Sequence, residues 1–275
     1  MNYRSQIKAF AKERLSTQYG TTLGAVFLAF LPQLVLALIL CAFFFLAAAV
    51  AVFSESAAAL LVLALICFMP FATVVSYLLM PFIAIGIPAF MLSAVRGMRE
   101  KATYPYTSCK NYGKKLGGFL WMMLFLSLWM FPYQFAYSFL INMIFLDSVV
   151  GIAITAVCTL LLLIPYIIKA YSYSFHPYIL NDCPELTVRK ALKLSMKMTK
   201  GIKGELFVFD LSFIGWWLLT AVTFGFAGFY TIPYYYMAKA TLYESMKNSA
   251  LASGKITEFD LDPTLVHCNE NYSQN

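Results

Sequence analysis

Three charged side chains fall inside or at the edge of long apolar runs: Asp210, Lys239 and Lys169. A charge in hydrocarbon is costly, so each needs a partner, a wet cavity or a function. At 1.5 Å per helical residue, Asp210 lies roughly 7–8 Å inside the fifth apolar run. Lys239 sits within about two turns of the end of the sixth run, and Lys169 closes the fourth. At this shared depth Asp210 is expected to pair with Lys239, with Lys169 as the second candidate. The chemistry open to such a cluster is a structural ion pair, snorkelling side chains, or a stepping stone for an ion or proton.

A second set is Arg189, Lys190, Lys193, Lys197 and Lys200. At 100° per residue they share one arc of about 100°, and Val188, Leu192, Leu194 and Met198 take the remaining face. A basic amphipathic helix of this kind rests in a membrane interface and attracts anionic headgroups. The same pattern also serves as a solvated face that merely sets topology. Asp182 and Glu185 are spaced as a capping box in front of it.

Other chemistries lack their residues. Cys41, Cys67, Cys109, Cys158, Cys183 and Cys268 include no C-x-x-C pair and read as free thiols. His267 and Cys268 are two adjacent ligands, too few for a zinc site. His176 reads as an interface residue. There is no H-E-x-x-H, no Gly-rich phosphate loop and no pair of intramembrane aspartates, so no catalytic residue, cofactor or metal is expected.

The elements that must position these residues follow from composition. Of 275 residues, 61% are hydrophobic and 12% charged, against about half and a quarter in a soluble domain. The expected fold is all-α and polytopic, six transmembrane helices in three hairpin-like units with basic amphipathic cytoplasmic helices. The spans are residues 22–53, 57–80, 116–141, 148–169, 205–224 and 226–247, in one domain over 1–250. Residues 251–275 form a flexible cytoplasmic tail. Met80, Pro81 and Pro88 end the second span, leaving 82–95 at the interface or as an extension of the helix.

Charge orients this threading. The N-terminus carries Arg4, Lys8, Lys12 and Arg14, residues 96–118 add a second basic cluster, and 181–204 a third. Short loops rich in Lys and Arg stay inside, so both termini are cytoplasmic. The opposite connections, 54–56, 142–147 and 224–227, hold Glu55 and Asp147 and no Lys or Arg. A net charge of +7 is therefore topological, and nucleic acid is not an expected partner.

From Lys169 to Tyr243 the sequence resembles a known bacterial family. Its pieces are Asn181 and Asp182 before the basic helix, Ser195, Lys200 and Gly201, DLSFIGW from Asp210 to Trp216, Pro233 and Tyr234, and Tyr243. These resemble the integral membrane family called domain of unknown function 975. The resemblance implies a six-span bundle in a bacterial cytoplasmic membrane and no assigned activity. More remotely, the architecture is similar to the membrane-anchor half of some glycerophosphodiester phosphodiesterases, whose catalytic half has no counterpart here. The expected function is non-catalytic: binding anionic inner-leaflet lipid or a membrane protein partner through 96–118 and 184–203. The alternative is a small transporter or permeability protein using polar residues near Asp210 and Lys239.

Overall fold

In the computed structural model, residues 3–51, 55–108, 111–143 and 149–262 are described, and all their regular structure is helical. Helix α1 (Tyr3–Ala51) runs for 49 residues with one non-helical residue, Gln18, at φ −136° and ψ 26°. The bend has a local cause. The hydroxyls of Thr21 and Thr22 both donate to the Gln18 carbonyl, at 2.9 and 2.8 Å. Back-bonding of this kind competes with the helix ladder and bends it.

On either side of the bend α1 serves different partners. Its first turns lie antiparallel to α11 (Gly228–Ala252). Tyr3 donates to the Ser245 hydroxyl at 2.6 Å, and Tyr19 donates to the Phe229 carbonyl at 3.2 Å. Beyond the bend α1 packs on α2 (Glu55–Pro81), where Gln33 and Ser76 exchange hydrogen bonds. The basic N-terminal segment thus hides a stripe at helical spacing, Ile7, Ala11 and Leu15, all buried. The small Ala11 lets the two helices approach closely.

After α2 the chain does not stop at its prolines. A π-turn, Phe82–Gly86, leads into α3 (Ile87–Val95). Pro88 has no amide to offer a preceding carbonyl, and the wider turn absorbs that gap. Within the same turn the Ile85 carbonyl accepts from the Asn181 side-chain amide at 2.9 Å. All of α3 is buried. Residues 82–95 therefore extend the helix, and α3 packs within the bundle against α1, α11 and α7 (His176–Asp182).

The short α4 (Tyr104–Thr107) closes against the π-turn. Helices α5 (Tyr112–Met143) and α6 (Val149–Tyr173) pack against each other. Helix α8 (Val188–Thr199) follows α7. The fifth apolar run is two helices, α9 (Lys203–Leu211) and α10 (Ile214–Val222), rather than one. At the break the Ser212 hydroxyl bonds back to the Phe209 carbonyl, while the Ser212 carbonyl accepts from Lys8 Nζ at 3.0 Å. The turn from α10 to α11 places Phe224 and Gly225 at φ 50° and 94°.

The expected boundary at residue 250 falls inside α11. The chain continues through a turn to α12 (Glu258–Leu261), and Ile256 is buried. Residues 251–262 are folded, and 263–275 lie outside the described residues, as do Ser54 of the expected connection 54–56 and residues 144–147 of the expected connection 142–147.

Candidate functional site

Asp210 occupies the last turn of α9, where the helix dipole disfavours an acid. Lys239, midway along α11, answers it with hydrogen bonds of 2.8 and 2.9 Å to the two carboxylate oxygens. Tyr235, one turn earlier on α11, donates to Asp210 at 3.2 Å. The Lys239 ammonium also lies 5.5 Å from the Tyr235 ring centroid and 5.9 Å from that of Tyr171. The Asp210 side chain is 23% exposed and that of Lys239 11%. Lys169 goes elsewhere: its ammonium sits 4.5 Å from the ring centroid of Trp129 on α5. Beside the break in the fifth run, Lys8 lies 4.3 Å from the Phe213 ring. The neighbourhood is therefore two cations against one carboxylate, packed among aromatic rings, and its carboxylate is already fully engaged.

A second polar centre is built on Asp182. One of its oxygens meets Arg96 at 2.7 Å, and the other meets Lys247 at 2.6 Å and the Tyr243 hydroxyl at 3.0 Å. Arg96 reaches on to Glu244 at 3.0 Å. This network ties the end of α3 to α7 and α11. Asp182 is thus not a helix cap. Helix α8 starts at Val188 with Thr187 before it and no side-chain cap, because the carboxylate finds two cations close by. One signal was present in the sequence: Asp182 is the only acid in residues 148–184, and an isolated acid at the end of an apolar run calls for a cation.

Next to it, the buried Lys115 donates to Asn181 Oδ1 at 2.5 Å and to the Ser108 carbonyl at 2.6 Å. His176 is 1% exposed and packs beside Gly118, so it belongs to the core rather than to an interface. Cys41, Cys158 and Cys183 are free; Cys109, Cys268 and His267 lie outside the described residues. Burial pushes the Cys183 thiol up to about 11. Among the described residues no group of His, Cys, Asp and Glu could hold a metal ion.

The basic helix α8 has the expected two faces. Arg189, Lys190, Lys193, Lys197 and Lys200 are exposed, while Ala191, Leu192, Leu194, Ser195, Met198 and Thr199 are buried. Ser195 donates to the Ser172 carbonyl at 2.9 Å, fixing α8 against the C-terminal end of α6. Arg189 stacks on Trp121, 4.5 Å from the ring. Lys197 meets Asp260 at 2.8 Å. That ammonium, with the Thr257 amide, holds the Asp260 carboxyl below its ordinary value.

These features define an all-α protein in which, among the described residues, five helical segments are long and apolar enough to cross a membrane: Tyr3–Leu46, Phe68–Val95, Tyr112–Phe135, Ala156–Asp182 and Lys203–Val222. Around them lie two internal charge networks and an exposed basic helix. The chain belongs to the family described as Protein of unknown function (DUF975), whose model matches residues 1–250. No curated protein and no solved structure matches it.

Proposed function

We propose that this is a non-catalytic protein of the bacterial cytoplasmic membrane that binds anionic phospholipid headgroups of the inner leaflet through α8. The observation that carries the reading is the division of α8: its cations face out while its apolar side is locked into the bundle. A lysine near an anionic surface gains about 1 kcal/mol, so a row of them on a rigid support is a substantial attraction. The bundle supplies the support, since Ser195 and Thr199 bond α8 to the end of α6.

In this reading the long apolar helical segments lie in the bilayer with both termini inside. Helix α11 returns the chain along the N-terminal part of α1. Its hydropathy is lowered by Lys239, Glu244 and Lys247, yet each of these is paired within the bundle, to Asp210, Arg96 and Asp182. A central helix can carry such charges because its neighbours, rather than lipid, solvate them.

The test is mass spectrometry of lipids retained after gentle solubilisation. The wild type is expected to carry anionic phospholipid, and a variant with Lys193→Glu, Lys197→Glu and Lys200→Glu to lose it while remaining folded. Equal retention by a folded variant would refute the reading.

A further inference from the structure

The basic face of α8 is already partly occupied by the chain's own acidic segment. Residues 257–262 carry Glu258, Asp260 and Asp262 and no cation, whereas α8 carries Arg189, Lys190, Lys193 and Lys197 and no acid. The segment is pre-shaped to present its carboxylate. In α12 the Thr257 hydroxyl accepts from the Asp260 amide at 3.3 Å, and the Asp260 carboxylate accepts from the Thr257 amide at 2.9 Å. The same carboxylate oxygen takes Lys197.

Two anchors hold the approach to this contact. Ile256 is 1% exposed, and Lys255 Nζ donates to the Lys200 carbonyl at 2.8 Å. Between α8 and α12 runs an open cleft of about 490 Å³, lined by apolar Leu186, Leu194 and Phe259, by Lys190, Lys193 and Lys197, and by the Asp260 carboxylate. Three lysines beside apolar side chains suit a phosphodiester with the first carbons of its glycerol ester once Asp260 has moved away.

We propose that residues 257–262 act as an intramolecular occupant of the basic face of α8 at Lys197, which anionic phospholipid headgroups entering the cleft displace. This rests on the reading of α8 as the lipid-binding surface. The strength of the contact fits a switch better than a lock. The Lys197 and Asp260 side chains are 49% and 33% exposed, and ion pairs that open to water are weak. A headgroup phosphate therefore competes with Asp260 for Lys197 on nearly even terms, and a rise in anionic lipid tips the balance. Occupation by the segment raises the density of anionic lipid at which α8 is filled.

The experiment uses the full chain in nanodiscs of phosphatidylcholine, or of phosphatidylcholine with phosphatidylglycerol. A zero-length carbodiimide cross-link between Lys197 and Asp260, quantified by peptide mapping, reads the docked segment. Its yield is expected to be high in phosphatidylcholine and to fall about fivefold with phosphatidylglycerol, the attraction one lysine gains near an anionic surface. The variant Asp260→Asn is expected to retain more phosphatidylglycerol than wild type by a similar factor.

A cross-link yield equal in the two lipids, with unchanged retention by Asp260→Asn, overturns the occupant and leaves the lipid-binding reading intact. If Lys190→Glu with Lys193→Glu retains phosphatidylglycerol as wild type does, the lipid-binding reading itself fails, and the displacement with it.

Discussion

At the scale of residues, the molecule neutralises charge internally wherever its helices cannot reach water. The pair of Asp210 and Lys239 is bonded through both carboxylate oxygens, so removing one partner strands the other. Asp210→Asn and Lys239→Met are each expected to lower the melting temperature in detergent, and the double variant to lose less than their sum. Thermal unfolding over the full cycle should give a coupling on the order of 1–3 kcal/mol. A folded Asp210→Asn protein that lost an ion flux would instead mark the pair as a pathway. Cys183 offers a second test at this scale. Its buried thiol, raised to about 11, should resist alkylation at pH 8 until the protein unfolds, because the thiolate is the reactive form. The Asp210 pairing was legible in the sequence because a charge in an apolar run announces its need. The Asp182 network was only half legible: an isolated acid at the end of an apolar run asks for a cation, but nothing in the sequence names Arg96 and Lys247, which lie far from it in the chain.

At the scale of elements, the informative features are where helices depart from regularity. The bend at Gln18, the π-turn before Pro88 and the break after Leu211 each free a carbonyl or gather hydroxyls, and side chains from elsewhere bond the backbone at two of them: Asn181 at Ile85 and Lys8 at Ser212. The π-turn also brings backbone against backbone. A Cβ on Gly86 would stand 2.7 Å from the Pro105 carbonyl oxygen, whereas one on Gly117 would meet nothing within 4 Å. Gly86→Ala is therefore expected to cost about 1–3 kcal/mol of stability through overpacking. Gly117→Ala should be neutral or add up to about 1 kcal/mol, since alanine is the better helix former. Denaturation of both variants in the same detergent checks the opposite signs. Of the three, only the π-turn, between Pro81 and Pro88, has prolines beside it. They did not show that the chain would continue through it into the most buried helix, because a break and a π-turn use the same residues.

At the scale of the whole molecule, α11 is the axis around which the rest is arranged. The N-terminal part of α1 lies along it, α10 returns against it, and α3 packs on its side. A cross-link between Tyr3→Cys and Ser245→Cys should form readily in membranes with a short bis-maleimide, which spans the gap the tyrosine ring fills in its 2.6 Å hydrogen bond to Ser245 and which a disulfide is too short to close. Failure of that cross-link in folded protein would remove the N-terminal segment from the bundle and return it to the role of a free basic flank. Apolar length and the clustering of Lys and Arg were enough, without coordinates, to set the all-helical class, the membrane-like character and the face of α8 that carries charge. All three depend on local composition and helical period. The partners of α11, the burial of residues 82–95 and the return of residues 257–262 onto α8 were decided only by tertiary structure, because each joins segments far apart in the chain. Hydropathy records what a residue prefers as a solvent, and it does not record which helix supplies that solvent.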